Sequence, residues 1–329
     1  MINKLILLTF YGNYELGSDS CEKIWLTLLA IIGVVIIGLF GAGMYFYHVA
    51  VVPGPKDFLG KTSTLKPSDP LYQQKKWFAD TTKTHWYETT ADGLKLDADY
   101  IPAAKKTNKT AVIAHGFMSR KEEMGAYAAL FHQLGYNVLL PDNRGHGASQ
   151  GNVIGFGWLD RRDYLLWARQ VVRKNGQNSK IVMFGISMGA AGMVMASGEH
   201  QLPQIKAYAV DSPYTSVEDE ITYEAKQQYN LPKYPLVPIT SLVTRIRAGY
   251  SFEEASAVKQ VHKNHKPIYF VTGTADKFVP TYMTKKLYRA ANSPKEMWLV
   301  KGAAHVKSFS KQPQAYQQHI KQFLTKYVH

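Results

Sequence analysis

The sequence predicts an α/β fold, a mostly parallel sheet with helices on both faces, preceded by one N-terminal membrane-spanning helix. Three observations carry that prediction. Beyond residue 85, short apolar runs alternate with longer amphipathic stretches, the pattern of a parallel sheet covered by helices. Residues 212–266 break the alternation with an insertion far longer than a usual strand-to-helix connection. Residues 24–52 contain no Asp, Glu, Lys or Arg.

The chain has 329 residues, of which 46% are hydrophobic, so a sizeable core can be buried. Cys21 is its one cysteine, which excludes an intramolecular disulfide and a cysteine-based metal site. The formal net charge is +14. No nucleic-acid motif and no Arg/Lys stripe interleaved with aromatics accompanies it, so nucleic acid is not an expected partner. The charge reads as a solvated surface.

In chain order, residues 1–23 form a short mixed segment whose apolar run at 5–10 is too brief to span a membrane. Residues 24–52 exceed the roughly 20 apolar residues a spanning helix needs. Trp25 at one end and Tyr45 and Tyr47 at the other occupy aromatic-belt positions. A cleaved signal peptide has an apolar region of about 7–15 residues and a small-residue exit. This run is longer and leaves through Tyr45-Phe46-Tyr47-His48, so the reading is an uncleaved signal anchor. Lys4 and Lys23 precede the span while Lys56, Lys61 and Lys66 follow it, a bias that opposes a cytoplasmic N-terminus. Residues 53–84, with Pro53, Pro55, Pro67 and Pro70, read as a tether carrying one short helix near 71–79, so a soluble fragment is expected to start at about residue 55.

Residues 85–329 form the globular domain. A hairpin is expected at 85–89 and 94–101 about the turn Ala91-Asp92-Gly93. Strands are expected at 110–114, 137–141, 181–184, 205–210, 268–272 and 297–301, with helices at 121–134, 158–175, 188–198, 282–291 and 313–327. The insertion at 212–266, rich in tyrosine and broken by Pro232, Pro235 and Pro238, reads as a cap over the site.

The chemistry centres on Gly185-Ile186-Ser187-Met188-Gly189. A serine hydroxyl needs a base and a shape that exposes it. Gly-x-Ser-x-Gly between a strand and a helix supplies the shape, with Gly185 and Gly189 letting the backbones pass. The acid and the base should follow in that order. Asp276 lies just past the strand at 268–272 and His305 just past that at 297–301, both at carboxyl ends of parallel strands, where sites form. Asp211, which ends the strand after the nucleophile, is a rival acid. Its competing role is to order the Asp211-Ser212-Pro213 turn, and Asp142 is expected to hydrogen-bond within its own loop. An oxyanion hole is expected from the backbone N–H groups of Met188 and Phe117. His115 and His146 lack partners at metal-ligand spacing, so structural roles are expected for both.

HGF at 115–117, PDNRGHGASQG at 141–151, GISMGAAG at 185–192, GTADKFVP at 273–280 and GAAH at 302–305 together resemble the α/β-hydrolase superfamily. More narrowly, with AYAALFHQLGYNVLLPDNRGHG, GFGWLDRRDY and Trp77-Phe78, they look like the membrane-anchored serine hydrolases of Gram-positive bacteria, esterase-like or peptidase-like. The resemblance runs from about residue 70 to the C-terminus. It implies an eight-stranded sheet, an inserted cap, no metal, no organic cofactor, and a catalytic domain outside the cell on a single-pass anchor in the cell membrane.

The leading expectation is hydrolysis of a small-molecule carboxylic ester with an apolar acyl group through an acyl-Ser187 intermediate. A prolyl-oligopeptidase-like peptidase is the alternative. It would need a group to hold a substrate N-terminus, and no acidic pair in the cap stands out for that. An acyltransferase would need an acceptor site. A non-catalytic module binding anionic polymers through its basic face is the reading outside enzymology.

Overall fold

A computed structural model describes residues 18–54 and 65–328 of the chain. The expectations for residues 1–17 and 55–64, among them Lys4, the run at 5–10, Pro55, Lys56 and Lys61, lie outside the described residues.

The described residues open with α1 (Ser18–Val51) and α2 (Tyr72–Asp80), followed by β1 (Thr84–Thr89), β2 (Lys95–Ile101) and β3 (Lys109–Ala114). A 3-10 turn at Lys121–Met124 leads into α3 (Gly125–Gln133), then β4 (Asn137–Pro141), α4 (Asp160–Asn175), β5 (Lys180–Ile186), α5 (Ser187–Ser197) and β6 (Ile205–Asp211). The insertion holds α6 (Val217–Tyr229), α7 (Leu236–Ala248) and α8 (Ala257–Val261). β7 (Ile268–Gly273), α9 (Thr281–Ala290), β8 (Lys295–Val300), α10 (Ser308–Lys311) and α11 (Pro313–Tyr327) complete the chain.

The described strands form one eight-stranded sheet in the order β1-β2-β4-β3-β5-β6-β7-β8. β2 is antiparallel to both neighbours, and the remaining pairs are parallel. Strands buried on both faces need apolar residues at every position, and β5 meets that demand. Its Ile181 and Met183 join the core on one face while Val182 and Phe184 join the core on the other. The first core is roofed by α4, α5 and the cap, the second by α3 and α11. The chain leaves β3 for β4 on one side and returns to β5 on the other, so a crevice opens between the carboxyl ends of β3 and β5.

Two boundaries differ from the sequence expectation, and packing explains both. Residues 53–84 are not all tether, because α2 lies on α3. Phe78 is buried there, and a Cβ on Gly125 would fall 2.8 Å from its ring. The apolar helix is also not all exposed. From Glu22 to Gly41 it is nearly bare, with Val34 and Ile37 at least 70% exposed. Then Gly43, Tyr47 and Val51, four residues apart and so on one face, are buried. A Cβ on Gly43 would meet Ile239 Cγ2 of α7 at 2.6 Å, so glycine is what lets the two helices touch. Val51 O accepts from Ile154 N at 2.7 Å, tying the helix end to the loop before α4. A fragment starting at residue 55 therefore lacks part of the core.

Candidate active site

β5 ends in the turn that carries Ser187. The serine has φ 51°, a left-handed conformation uncommon for a residue with a side chain. Such strain costs roughly 1–3 kcal/mol and persists where the surroundings over-determine it. The flanking glycines show how they do so. A Cβ on Gly189 would sit 2.5 Å from His115 O, and one on Gly185 would sit 2.5 Å from Gly189 C. No side chain fits at either place.

The loops after β7 and β8 are stitched together. Thr274 N donates to Val300 O, Ala275 N to Ala303 O, and Gly302 N to Thr274 Oγ1. That pairing sets Asp276 beside His305. His305 Nδ1 lies 2.8 Å from Asp276 Oδ2, and its Nε2 lies 2.9 Å from Ser187 Oγ. A carboxylate only accepts, so Nδ1 carries the proton and Nε2 is left to accept from the serine. Asp276 is itself fixed, its Oδ1 accepting from Phe278 N at 3.0 Å and Val279 N at 2.9 Å. The Phe278 ring lies 5.0 Å from the imidazole. The rival, Asp211, points elsewhere. It accepts from Ser212 Oγ at 3.0 Å and from Tyr316 OH at 3.1 Å, and burial pushes its carboxyl up to about 7.

The loop after β3 crosses the serine so closely that a Cβ on Gly116 would lie 3.4 Å from Ser187 Cβ. Phe117 and Met188 line the same cleft as Ser187. Two histidines hold this loop to the one after β4. His115 Nδ1 donates to Gly116 O at 2.8 Å, and its Nε2 accepts from Asn143 N at 3.0 Å. Burial, with His146 nearby, drives its pKa down to about 3, so it is neutral. His146 Nε2 accepts from Met118 N at 3.3 Å. Asp142 accepts from Ala148 N within its loop and also from Lys121, through both N and Nζ. Burial works against the Lys121 cation, yet Asp142 and Asp97, each 2.7 Å from Nζ, raise its pKa.

The cleft encloses about 820 Å³ including its open mouth. Besides Ser187, its walls include Phe117 and Phe156 from the domain and Tyr214, Ile221, Leu236 and Val237 from the cap insertion. Two features escaped the sequence reading. Phe46, Val49 and Ala50 of α1 form part of the wall. Glu220 and Glu224, one helical turn apart on α6, also line it. The expectation that the cap lacks an acidic pair is corrected: the i, i+4 spacing was present, but nothing in the sequence said which face of α6 looks inward. Neither carboxyl oxygen of Glu220 has a hydrogen-bond partner among the described residues, and burial holds its pKa well above the usual range. Burial raises Glu224 as well.

Among the described residues, one group, His85, Asp97 and Asp99, brings potential metal-ligand atoms within 4.8 Å of one another. The Lys121 ammonium already lies 2.7 Å from Asp97 Oδ1, supplying the positive charge there.

Residues 105–231 match the family model described as serine aminopeptidase, S33. The chain is 26% identical over 297 residues to the uncharacterized protein YqkD of Bacillus subtilis, covering 90% of this chain and 96% of that one. It is 25% identical to the uncharacterized protein YfhR of Escherichia coli K12 over 74% of this chain and 79% of the relative. Among solved structures, an esterase of Pyrococcus furiosus superposes with a TM-score of 0.65 at 21% identity, covering 85% of this chain and all of that one. An acylaminoacyl peptidase of Pyrococcus horikoshii gives 0.57 at 16% identity, over 75% of this chain and 41% of its own. With an eight-stranded sheet in this order and a strand-turn-helix elbow at its centre, the chain has the α/β-hydrolase fold.

Proposed function

We propose that this protein is a membrane-anchored serine hydrolase that cleaves a carboxylic ester with an apolar acyl group. The observation that carries the reading is the hydrogen-bonded run from Asp276 through His305 to Ser187 at the floor of an apolar cleft. In the proposed reaction His305 Nε2 takes the hydroxyl proton as Ser187 Oγ attacks the ester carbonyl. The backbone N–H groups of Met188 and Phe117 receive the developing oxyanion. Collapse releases the alcohol, protonated by His305, and leaves an acyl-Ser187. Water, giving a proton to His305, then attacks the acyl carbon, and collapse breaks the acyl–Oγ bond as His305 returns that proton to Ser187 Oγ and the carboxylic acid leaves. Asp276 holds the imidazole tautomer and stabilises the imidazolium.

Labelling with a fluorophosphonate probe tests this. The wild type takes the label and Ser187→Ala does not. Equal labelling of the two would sink the proposal.

The anchor belongs to the same reading. A cleaved signal sequence would carry off Tyr47 and Val51, which are core residues, and Phe46, Val49 and Ala50, which wall the cleft. That packing supports retention of α1, and its bare, uncharged stretch from Ile24 to Gly41 is suited to a membrane. Placement of the domain outside the cell rests on the resemblance to surface hydrolases.

One observation favours a second reading. Glu220 and Glu224 offer two carboxyl groups within the cleft that holds Ser187, and a peptidase acting at a free N-terminus needs an anion to hold the ammonium. Parallel assays of p-nitrophenyl acyl esters and aminoacyl-nitroanilides separate the two. Ester turnover without nitroanilide turnover supports the esterase. Nitroanilide turnover abolished by Glu220→Gln supports the peptidase.

A further inference from the structure

The anchor's end forms part of the cleft wall, which bears on how substrate arrives. From Ile24 to Gly41, 18 residues at 1.5 Å each, the bare and uncharged part of α1 is about 27 Å long, close to the thickness of a bilayer's hydrocarbon core. Phe46 lies five residues further, about 8 Å along the helix, at headgroup depth. It already lines the cleft, and Val49 and Ala50, at i+3 and i+4, carry that wall onward. Phe46 meets Tyr229 of α6 edge-on, ring centroids 5.5 Å apart. Tyr229 both lines the cleft and is 43% exposed, so this aromatic pair stands at the mouth. The mouth therefore faces the membrane surface.

The cap agrees with that orientation. α7 lies on α1 at Gly43 through Ile239 and Val243, and Leu242 and Ile246, at i+3 and i+7 from Ile239 on the same stripe, stay exposed beside that contact. These apolar side chains continue the bare surface of α1 beyond the span. Arg245 and Arg247, in the last turn of α7, are also exposed. An amphipathic helix with apolar and basic faces is suited to lie in the interface. The cleft itself is apolar, and its carboxyl groups come from Glu220 and Glu224. No Lys or Arg lines it, so nothing within it favours an anionic substrate.

We infer that the cleft is loaded from the bilayer, and that its substrate is an uncharged amphiphile whose long acyl chain, in ester linkage, enters between α1 and the cap past Phe46 and Tyr229. The inference rests on the ester-hydrolase reading and adds the substrate class and its route. Water-borne esters of short acids reach the same serine but forgo the contacts with α1.

The test uses the full chain reconstituted in neutral phosphatidylcholine vesicles. Hydrolysis of p-nitrophenyl oleate dissolved in those vesicles is compared with that of p-nitrophenyl butyrate in solution, with Ser187→Ala as the blank. A second arm uses a long-alkyl fluorophosphonate bearing a diazirine near its chain end, which fixes the chain to Ser187 before photolysis. Expected are a kcat/KM at least tenfold higher for the oleate and cross-links on the peptide holding Phe46, Val49 and Ala50. Butyrate turnover with no preference for oleate and no cross-link to α1 overturns the bilayer route while leaving ester hydrolysis intact. A folded protein that neither turns over an ester nor takes the fluorophosphonate overturns the reading beneath it. Ala50→Trp narrows the anchor side of the cleft. It should lower the oleate-to-butyrate ratio at least fivefold in protein that still takes the fluorophosphonate, and an unchanged ratio counts against the route.

Discussion

Asp211 and Asp276 both fall between Ser187 and His305 in the chain, the first ending a strand and the second just past one, so sequence order alone does not separate them. Geometry separates them by their partners. Asp276 accepts two backbone amides and faces His305, whereas Asp211 is sealed beneath Ser212 and Tyr316. The partners of Asp211 lie one and 105 residues away, and the second contact exists only because α11 folds back over the sheet. A buried carboxyl has a measurable consequence. With a folded pKa of about 7 against 3.8, Asp211 keeps its proton in the native state where the unfolded chain has released it. The unfolded state then binds fewer protons, so stability falls as pH rises from about 4 to about 7 and levels off above. A shift of about three units corresponds to about 4 kcal/mol. Denaturant unfolding of wild type and Asp211→Asn should therefore diverge in the variant's favour by up to that amount between pH 4 and pH 8. Parallel pH profiles would refute a neutral buried Asp211.

Elements were the most legible scale. The apolar runs at 110–114, 137–141, 181–184, 205–210 and 268–272 all became strands, because burial on both faces demands side chains with few alternatives. Less legible was what joins the elements. Arg144 bonds Asp163 of α4 through Nε and Nη2, each at 2.8 Å, and reaches Asp92 in the hairpin turn at 2.9 Å. That one guanidinium ties the β1–β2 turn and α4 to the loop after β4. Burial raises Asp163 to about 6 even with Arg144 beside it. Arg144→Met removes the cation and leaves a buried carboxyl without its counter-charge, which should cost about 3 kcal/mol and appear as a lower midpoint in denaturant. Asp92→Asn removes only the exposed arm and should cost under about 1 kcal/mol. Similar losses from the two variants would contradict the assigned roles.

For the molecule as a whole, composition separated the apolar helix from the domain because the uncharged run ends at Val52. It did not reveal that the run changes surroundings near Gly43, since lipid and protein core select the same side chains. Burying Val51 and Tyr47 contributes about 4 kcal/mol together. A fragment of residues 42–329 should accordingly melt at a higher temperature than one of residues 55–329. It should also take up fluorophosphonate, while the shorter one labels poorly or aggregates. Indistinguishable melting curves would place the last turns of α1 outside the folding unit.

The contact between Gly43 and Ile239 has a further consequence for anyone handling the purified protein. Helices that meet at a glycine are held by close fit, and a detergent tail competes for the same groove. Amphiphiles that solvate the span but spare the groove act as ligands of the native state and raise its apparent stability. Those that wedge between α1 and α7 lower it while widening the mouth beside Phe46. Activity and melting temperature should then vary in opposite directions across a detergent series, so the most stabilising micelle is not the one in which turnover is fastest.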